Sequence, residues 1–213
     1  MAAEHEDPGA GGRTARKRRA ILEAARAEFL RSGFAGTSMD AIAASAEVSK
    51  QTIYKQFEDK ERLFTEIITT DIEGAEQRSE ALVDALSDSE DVEKDLRDLA
   101  RRHVSDVLQP HLVQLRRLVI AEADRFPDLA RTWYARGPER AASTLADRFT
   151  ALAKRGRLRL DDPLLAAQHF NWLVLSIPLN HAMFHTVDSQ FTPRQLSRFA
   201  DEGVRVFLAA YGS

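Results

Sequence analysis

The sequence has no cysteine. That absence excludes a disulfide framework, a thiolate zinc site and a cysteine nucleophile together, and it fits the reducing cytoplasm in which the chain is expected to act. No apolar run is long enough to cross a membrane. The most apolar stretch, Trp172 to Leu179, is interrupted by Ser176 and Pro178 and falls far short of the ~20 residues a spanning helix needs, so no membrane partner is expected. The first twelve residues, MAAEHEDPGAGG, are polar and acidic and lack the apolar centre of a secretion signal. Their Gly, Pro and charge content predicts a disordered tail over residues 1–12. No window shows the apolar–polar alternation of a half-buried strand, which makes the expected class all-α. A catalytic frame is lacking too: there is no nucleophile elbow with an ordered Ser/His/Asp set, no phosphate loop and no framed carboxylate pair. An enzyme is therefore set aside, and no cofactor is expected.

What is present is ordinary globular chemistry, 44% apolar and 30% charged over 213 residues, enough for a small head and a larger body. The net charge of −3 is unevenly placed. Residues 13–57 hold nine basic residues (Arg13, Arg16, Lys17, Arg18, Arg19, Arg26, Arg31, Lys50, Lys55) against four acids (Glu23, Glu28, Asp40, Glu47), whereas the segments on either side are acidic. A basic head on an acidic body concentrates attraction for phosphates at one end.

Residues 37–57, TSMDAIAASAEVSKQTIYKQF, carry the functional signal. A short apolar-periodic helix with Met39, Ile42 and Ala43 is followed by a tight connection through Glu47 and a second short helix opening at Ser49. Two short helices joined by a few residues form a helix-turn-helix, whose second helix can enter a DNA major groove. Lys50, Gln51, Thr52, Tyr54 and Lys55 suit a helix in that position, because Lys, Thr and Tyr bond phosphates and Gln can pair bidentately with adenine. Tyr54 has a rival reading as a core aromatic, but Ile53 and Phe57 fit the core better. The run RTARKRR at 13–19 is either a solvated helix start or a source of one or two phosphate contacts.

Around this unit, periodicity predicts a first helix from about Arg13 to Ser32 ended by Gly33, caps at Thr37 or Ser38 and at Ser49, and a long helix capped by Asp59 that fades near Leu86. Helices follow over roughly 91–108, from Pro110, from Pro127 to Gly137, from Pro138 to near Gly156, over 162–187 and over 193–210. The helix over 162–187 is apolar around most of its circumference and must be buried on most sides, which a partner chain would achieve. Pro178 removes one of its backbone bonds.

The stretch TARKRRAILEAARAEFLRSGFAGTSMDAIAASAEVSKQTIYKQFEDKERLFTEII, residues 14 to about 68, resembles the amino-terminal domain of TetR-type transcriptional regulators. Ile21, Ala24, Ala25, Phe29, Gly33, Thr37, Ile42, Ala43, Val48, Tyr54, Phe57, Lys60 and Leu63 stand in matching order. The segment LVIAEADRFPDLARTWYARGPER resembles a ligand-binding domain found in that family. The resemblance implies a three-helix head (13–58, after the tail) joined by a long fourth helix to a ligand-binding and dimerisation body (59–213). It also implies a homodimer on a pseudo-palindromic operator in double-stranded DNA, usually a repressor, released by a small-molecule effector. The DNA contacts it implies are Thr37, Ser38, Lys50, Gln51, Thr52, Tyr54, Lys55 and Lys60; Gln51 departs from the glycine that many members carry.

In the body, Phe126, Trp133, His169, Phe170, Trp172, His181 and Phe184 are candidates for the effector pocket, with plain core packing the alternative for each aromatic. Polar residues of the apolar helix, among them Gln168, Asn171 and Asn180, must bond each other, a dimer mate or a ligand. Leu175, Leu179, Phe199, Val206 and Phe207 are the expected dimer interface, in a four-helix contact about a two-fold axis. His181 and His185 have the spacing of metal ligands on one helical face, but no third ligand is identifiable, so no metal is expected. The rival function is a helical protein-binding adaptor, which would not need the basic head.

Overall fold

The computed structural model describes residues 8–185 and 191–213 and, within them, the side chains of all residues except 8–13, 72, 75, 76, 78 and 79. Ten α-helices make up the described chain, and no strand forms among these residues. They are α1 (Pro8–Gly36), α2 (Met39–Ser45), α3 (Lys50–Gln56), α4 (Lys60–Ala85), α5 (Val92–Val107), α6 (Pro110–Ala121), α7 (Pro127–Tyr134), α8 (Arg140–Lys154), α9 (Pro163–Phe184) and α10 (Pro193–Tyr211). Side-chain caps begin α2, α3, α4, α5, α9 and α10: Ser38, Ser49, Asp59, Asp91, Asp162 and Thr192 each accept from a backbone N–H of the first turn. Prolines occupy the first turns of α6, α7, α9 and α10, where their missing N–H costs nothing.

Two expectations change. The first helix begins at Pro8 rather than near Arg13; the tail expected over 1–12 lies outside the described residues as far as residue 7. Gly137 and Pro138 do not separate two helices. The chain stays helical through a π turn, Ala135–Glu139, which holds Pro138 and leads directly into α8. The wider turn accommodates a residue that cannot supply an α-helical N–H. Likewise α9 continues through Pro178, which is buried.

Two apolar clusters organise the molecule. The first joins Ile21, Ala25, Phe29, Phe34, Ile42, Ile53 and Phe57 of the head to Leu63, Phe64, Ile67 and Ile68 of α4, and extends to Leu115, Val119 and Leu129 of α6 and α7. A boundary drawn after residue 58 therefore runs through a single core. The second cluster fills the body with Leu96, Leu99, Val104, Phe149, Phe170, Val174, Leu175, Leu179, Val204 and Phe207. Helix α4 bridges them, its far end packing Leu82 and Val83 against the body.

Helix α9 is the centre of the body, buried along Ala166, Phe170, Val174 and Pro178. Its opposite face leaves Leu165, Trp172, Leu173 and Ile177 exposed. Helix α10 lies so close to α9 that a Cβ at Gly203 would sit 2.9 Å from the Leu173 carbonyl oxygen and 3.0 Å from its carbon. Because the obstacle is backbone, it cannot rotate away. Gly203→Ala should therefore lower stability by about 1–3 kcal/mol, seen as a lower denaturation midpoint in urea with an unchanged slope; an unchanged midpoint would show that the two helices part easily.

Candidate nucleic-acid interface and effector cavity

The helix-turn-helix is built on a corner. Gly33 adopts φ 72°, ψ 170°, a left-handed conformation suited to glycine, and interrupts α1 so that Phe34 turns inward. Phe34 stacks on Phe29 and meets the edges of Phe64 and Phe126, with centroids 5.5, 5.2 and 4.6 Å away. The break leaves backbone carbonyls without helical partners, and Lys60 takes two of them: its Nζ donates to Phe34 O at 2.7 Å and Thr37 O at 2.8 Å while lying 4.6 Å from the Phe34 ring centroid. Burial, and then the Arg125 charge, hold its pKa below the usual lysine value.

Two residues expected at phosphates, Thr37 and Lys60, are engaged within the head itself. The Lys60 ammonium is turned inward to the corner. Thr37 is buried, its hydroxyl 2.8 Å from Gly33 O and 3.0 Å from Glu28 O, and thus serves to close the same corner. Ser38 stays exposed while its Oγ caps α2 from Ala41 N, which leaves its O–H free to donate to a phosphate.

Across the turn, Glu47 is left-handed at φ 53° and directs α3 outward. Ile53 and Phe57 bury α3 against the head core, so Gln51, Tyr54 and Lys55 project into solvent on its other faces. Thr52 is half-buried beside Ser49, with the hydroxyl oxygens 2.8 Å apart. Lys50 is exposed but paired with Asp40 of α2 at 2.5 Å. Several other head cations are paired internally, a feature net charge could not reveal. Arg18 pairs with Glu66 at 2.6 Å while stacking on Phe57, Arg26 pairs with Asp71, and Arg31 pairs with Glu28. Arg16, Lys17, Arg19 and Lys55 are exposed, and none of them has a carboxylate partner among the described residues.

The body holds a cavity of about 490 Å³ between α4, α5, α8 and α9, lined by Val83, Leu99, Leu145, Ala167 and Phe170 with His103, Asn171, Gln77, Thr144 and Arg148 among its polar groups. His103 Nε2 lies 2.9 Å from Asn171 Oδ1, so the polar Asn171 of the apolar helix finds its partner on α5. Burial, chiefly, and the Arg116 charge push the His103 pKa below its usual value, although Asn171 and Asp106 act in the opposite sense; the ring is therefore neutral at pH 7.

Of the seven expected pocket residues only Phe170 lines this cavity. Phe126 and Trp133 pack instead on the head cluster, because α7 lies under the head. Trp172 is 50% exposed and Phe184 81% exposed, both pointing away from the body core. His169 is exposed, with Nδ1 2.6 Å from the Tyr211 hydroxyl, and His181 stacks on His185 at 3.9 Å. No group of three His, Cys, Asp or Glu side chains among the described residues is placed to hold a metal. Of the five expected interface residues, Leu175, Leu179 and Phe207 are buried in the chain's own core, at 3%, 4% and 0% exposure, because their side of each helix faces inward. Phe199 is half-buried against Phe191, and Val206 is exposed.

Residues 21–67 match the family described as bacterial regulatory proteins, tetR family, and residues 94–213 match the AefR-like transcriptional repressor, C-terminal domain. A solved structure from Mesorhizobium loti, described as a TetR-family transcriptional regulator, is 43% identical over 94% of this chain and 99% of that one, with a TM-score of 0.86. The structure of the flavonoid-responsive regulator FrrA is 32% identical over 93% and 98% of the two chains, with a TM-score of 0.74. The uncharacterized HTH-type regulator YhgD of Bacillus subtilis is 41% identical over 81 residues, which span 38% of this chain and 42% of that protein. The chain belongs to the TetR family of transcriptional regulators.

Two expectations follow from the geometry. Lys60→Ala should lower stability by about 1.5–3 kcal/mol, since two charge-assisted bonds to buried carbonyls are lost. Lys55→Ala should stay within about 0.5 kcal/mol of the parent and weaken DNA binding alone; urea denaturation beside a mobility shift separates the two, and equal stability losses would reject the assignment. His103 has a folded pKa below its unfolded value, so stability should fall as pH drops below about 6.5, where the unfolded chain takes the proton first. Between about pH 7 and 5, His103→Gln should lose less stability than the parent, and parallel pH curves would contradict this.

Proposed function

We propose that this chain is a repressor that binds a pseudo-palindromic operator as a homodimer and leaves it when a small molecule occupies the body cavity. The observation that carries the reading is α3, braced by Ile53 and Phe57 and presenting Gln51, Tyr54 and Lys55 to solvent. Gln51 supplies base-edge hydrogen bonds, while Tyr54, Lys55, Ser38 and the basic residues 16, 17 and 19 supply phosphate contacts. Lys50 can exchange Asp40 for a phosphate or base, because an exposed ion pair is worth only about 0–1 kcal/mol.

Dimerisation would use the outward face of α9, with Leu165, Trp172, Leu173 and Ile177, together with Val206 of α10. An exposed apolar patch of this kind marks a contact surface. Two α3 helices would then reach successive major grooves roughly 34–36 Å apart. The cavity falls in the usual range of about 300–1,000 Å³ for small-molecule sites, and the relative FrrA is a flavonoid-responsive regulator, which favours an aromatic effector. Such a ligand would act through α4, whose Val83 lines the cavity and whose Leu63 and Phe64 lie in the head core.

Ile177→Glu, at a position 61% exposed, should fold and yield monomers by light scattering. Those monomers should bind operator fragments far more weakly than the parent does. On the parent, affinity should fall steeply with salt, and Tyr54→Phe and Lys55→Ala should flatten that slope while Gln51→Ala changes base preference by about 1–3 kcal/mol. A monomeric parent at micromolar concentration, or equal losses by all three variants on specific and random DNA, would reject the dimer or the base-reading role respectively. Absence of any DNA binding would favour the protein-binding adaptor.

A further inference from the structure

One ion pair of the head joins the two helices of the helix-turn-helix on their solvent side. Lys50, the first residue of α3, pairs with Asp40 in the first turn of α2 at 2.5 Å. Both side chains face water, at 67% and 55% exposure, whereas Arg26 and Arg31 pair with carboxylates only 7% and 9% exposed. An exposed pair adds little to stability, so this one exchanges readily. Among the described residues Lys50 and Asp40 have no other charged partner. The turn between their helices is closed by backbone bonds, Glu47 N to Ala44 O at 3.2 Å and Val48 N to Ala43 O at 3.0 Å. Ammonium and carboxylate are thereby carried side by side on one surface. Next to them Gln51 is exposed and without a partner among the described residues, while the Thr52 hydroxyl is engaged by Ser49.

An ammonium only donates hydrogen bonds and a carboxylate only accepts them. In the major groove a G·C pair shows two adjacent acceptors, guanine N7 and O6, followed by the N4–H2 donor of cytosine. When Lys50 leaves Asp40 for the guanine acceptors, the freed carboxylate lies beside that donor, and both ends of the opened pair find partners. An A·T pair sets its N6–H2 donor between the acceptors N7 and O4, so the ammonium gains one acceptor in place of two. A phosphate offers acceptors only; it satisfies Lys50 and leaves Asp40 facing a like charge. Residues at the start of a recognition helix are the ones that reach base edges.

We propose that Asp40 and Lys50 together read one G·C pair, Lys50 donating to the guanine and Asp40 accepting from its cytosine, next to the base read by Gln51. This assignment rests on the DNA-binding reading above and adds a base pair and a second reader, Asp40, that lies outside the recognition helix. An acid on the DNA-facing surface then serves discrimination. It lowers affinity for the phosphates of every sequence and offsets that loss at the matching base pair alone.

The test starts from a randomised duplex pool, from which the full-length protein enriches its own operator. That operator should hold a G·C pair beside the pair read by Gln51, and exchanging it for A·T should weaken binding by about 5–150-fold. Lys50→Ala and Asp40→Ala should each level the preference at that pair, and the double variant should be no less selective than either, because the two act as one reader. Gln51→Ala should level the neighbouring position instead. Replacing the guanine by 7-deazaguanine, which lacks N7, should weaken the parent and leave Lys50→Ala unaffected. Glu47→Gln removes another exposed acid of the head that takes no part in the pair; it should tighten binding to random duplex and keep the G·C preference, whereas Asp40→Ala should tighten the first and lose the second. An enriched operator without that G·C pair, or a preference that survives Asp40→Ala, overturns the shared readout while the DNA-binding reading stands. Failure of the pool to enrich any sequence overturns both.

Discussion

The contact on which the architecture turns is the corner at Gly33–Thr37. A left-handed glycine ends the regular part of α1, and the carbonyls freed by that break are gathered by one ammonium, Lys60, from the first turn of α4. Phe34 fills the angle between Phe29, Phe64 and Phe126, and Glu122 accepts from Ala35 N at 3.3 Å. Thus α1, α4 and the α6–α7 pair meet at one joint. Tilting the head against that joint would cost the hydrogen bonds that Lys60 and Glu122 make there.

The same economy of partners shapes the DNA-facing surface. A basic segment is not a basic surface: Arg18, Arg26 and Arg31 are held by carboxylates of α1 and α4 and act on the fold. The cations left facing solvent lie early in α1 and on α3, flanking the exposed Gln51 and Tyr54. On the proposed reading, steering toward phosphates would use this smaller set, and a base-edge preference would come from Gln51 and from Lys50 where Asp40 releases it.

In the body, one apolar helix meets two demands. One side of α9 completes the core, and Gly203 lets α10 approach its backbone closely. The other side stays apolar and exposed, the condition for self-association. Between α4, α5, α8 and α9 the packing leaves a cavity in which the bonded pair His103 and Asn171 stands beside the charged side chains of Glu73, Glu80, Asp84, Arg140 and Arg148. Head and cavity are joined by α4, whose Val83 lines the cavity and whose Leu63 and Phe64 lie in the head core.

Local chemistry was legible in the sequence. The all-α class, the capping residues, the prolines of first turns, the break at Gly33 and the helix-turn-helix with Gln51, Tyr54 and Lys55 outward all follow from near-neighbour rules, because each depends on residues within one or two turns. What the sequence alone could not decide was which side of an all-round apolar helix faces its own core: Leu175 and Leu179 point in while Trp172 and Ile177, two or three residues away, point out. Nor could it show that Lys60 turns toward carbonyls 23 and 26 residues earlier, or that His103 meets Asn171 across 68 residues. Those choices are made by long-range packing, where a side chain's role is set by the atoms that surround it and not by its own type. Sequence therefore determined that this is a helical DNA-binding regulator of the TetR type, and the tertiary structure decided which cations of the head face solvent, where a cavity opens in the body and which face of α9 is free.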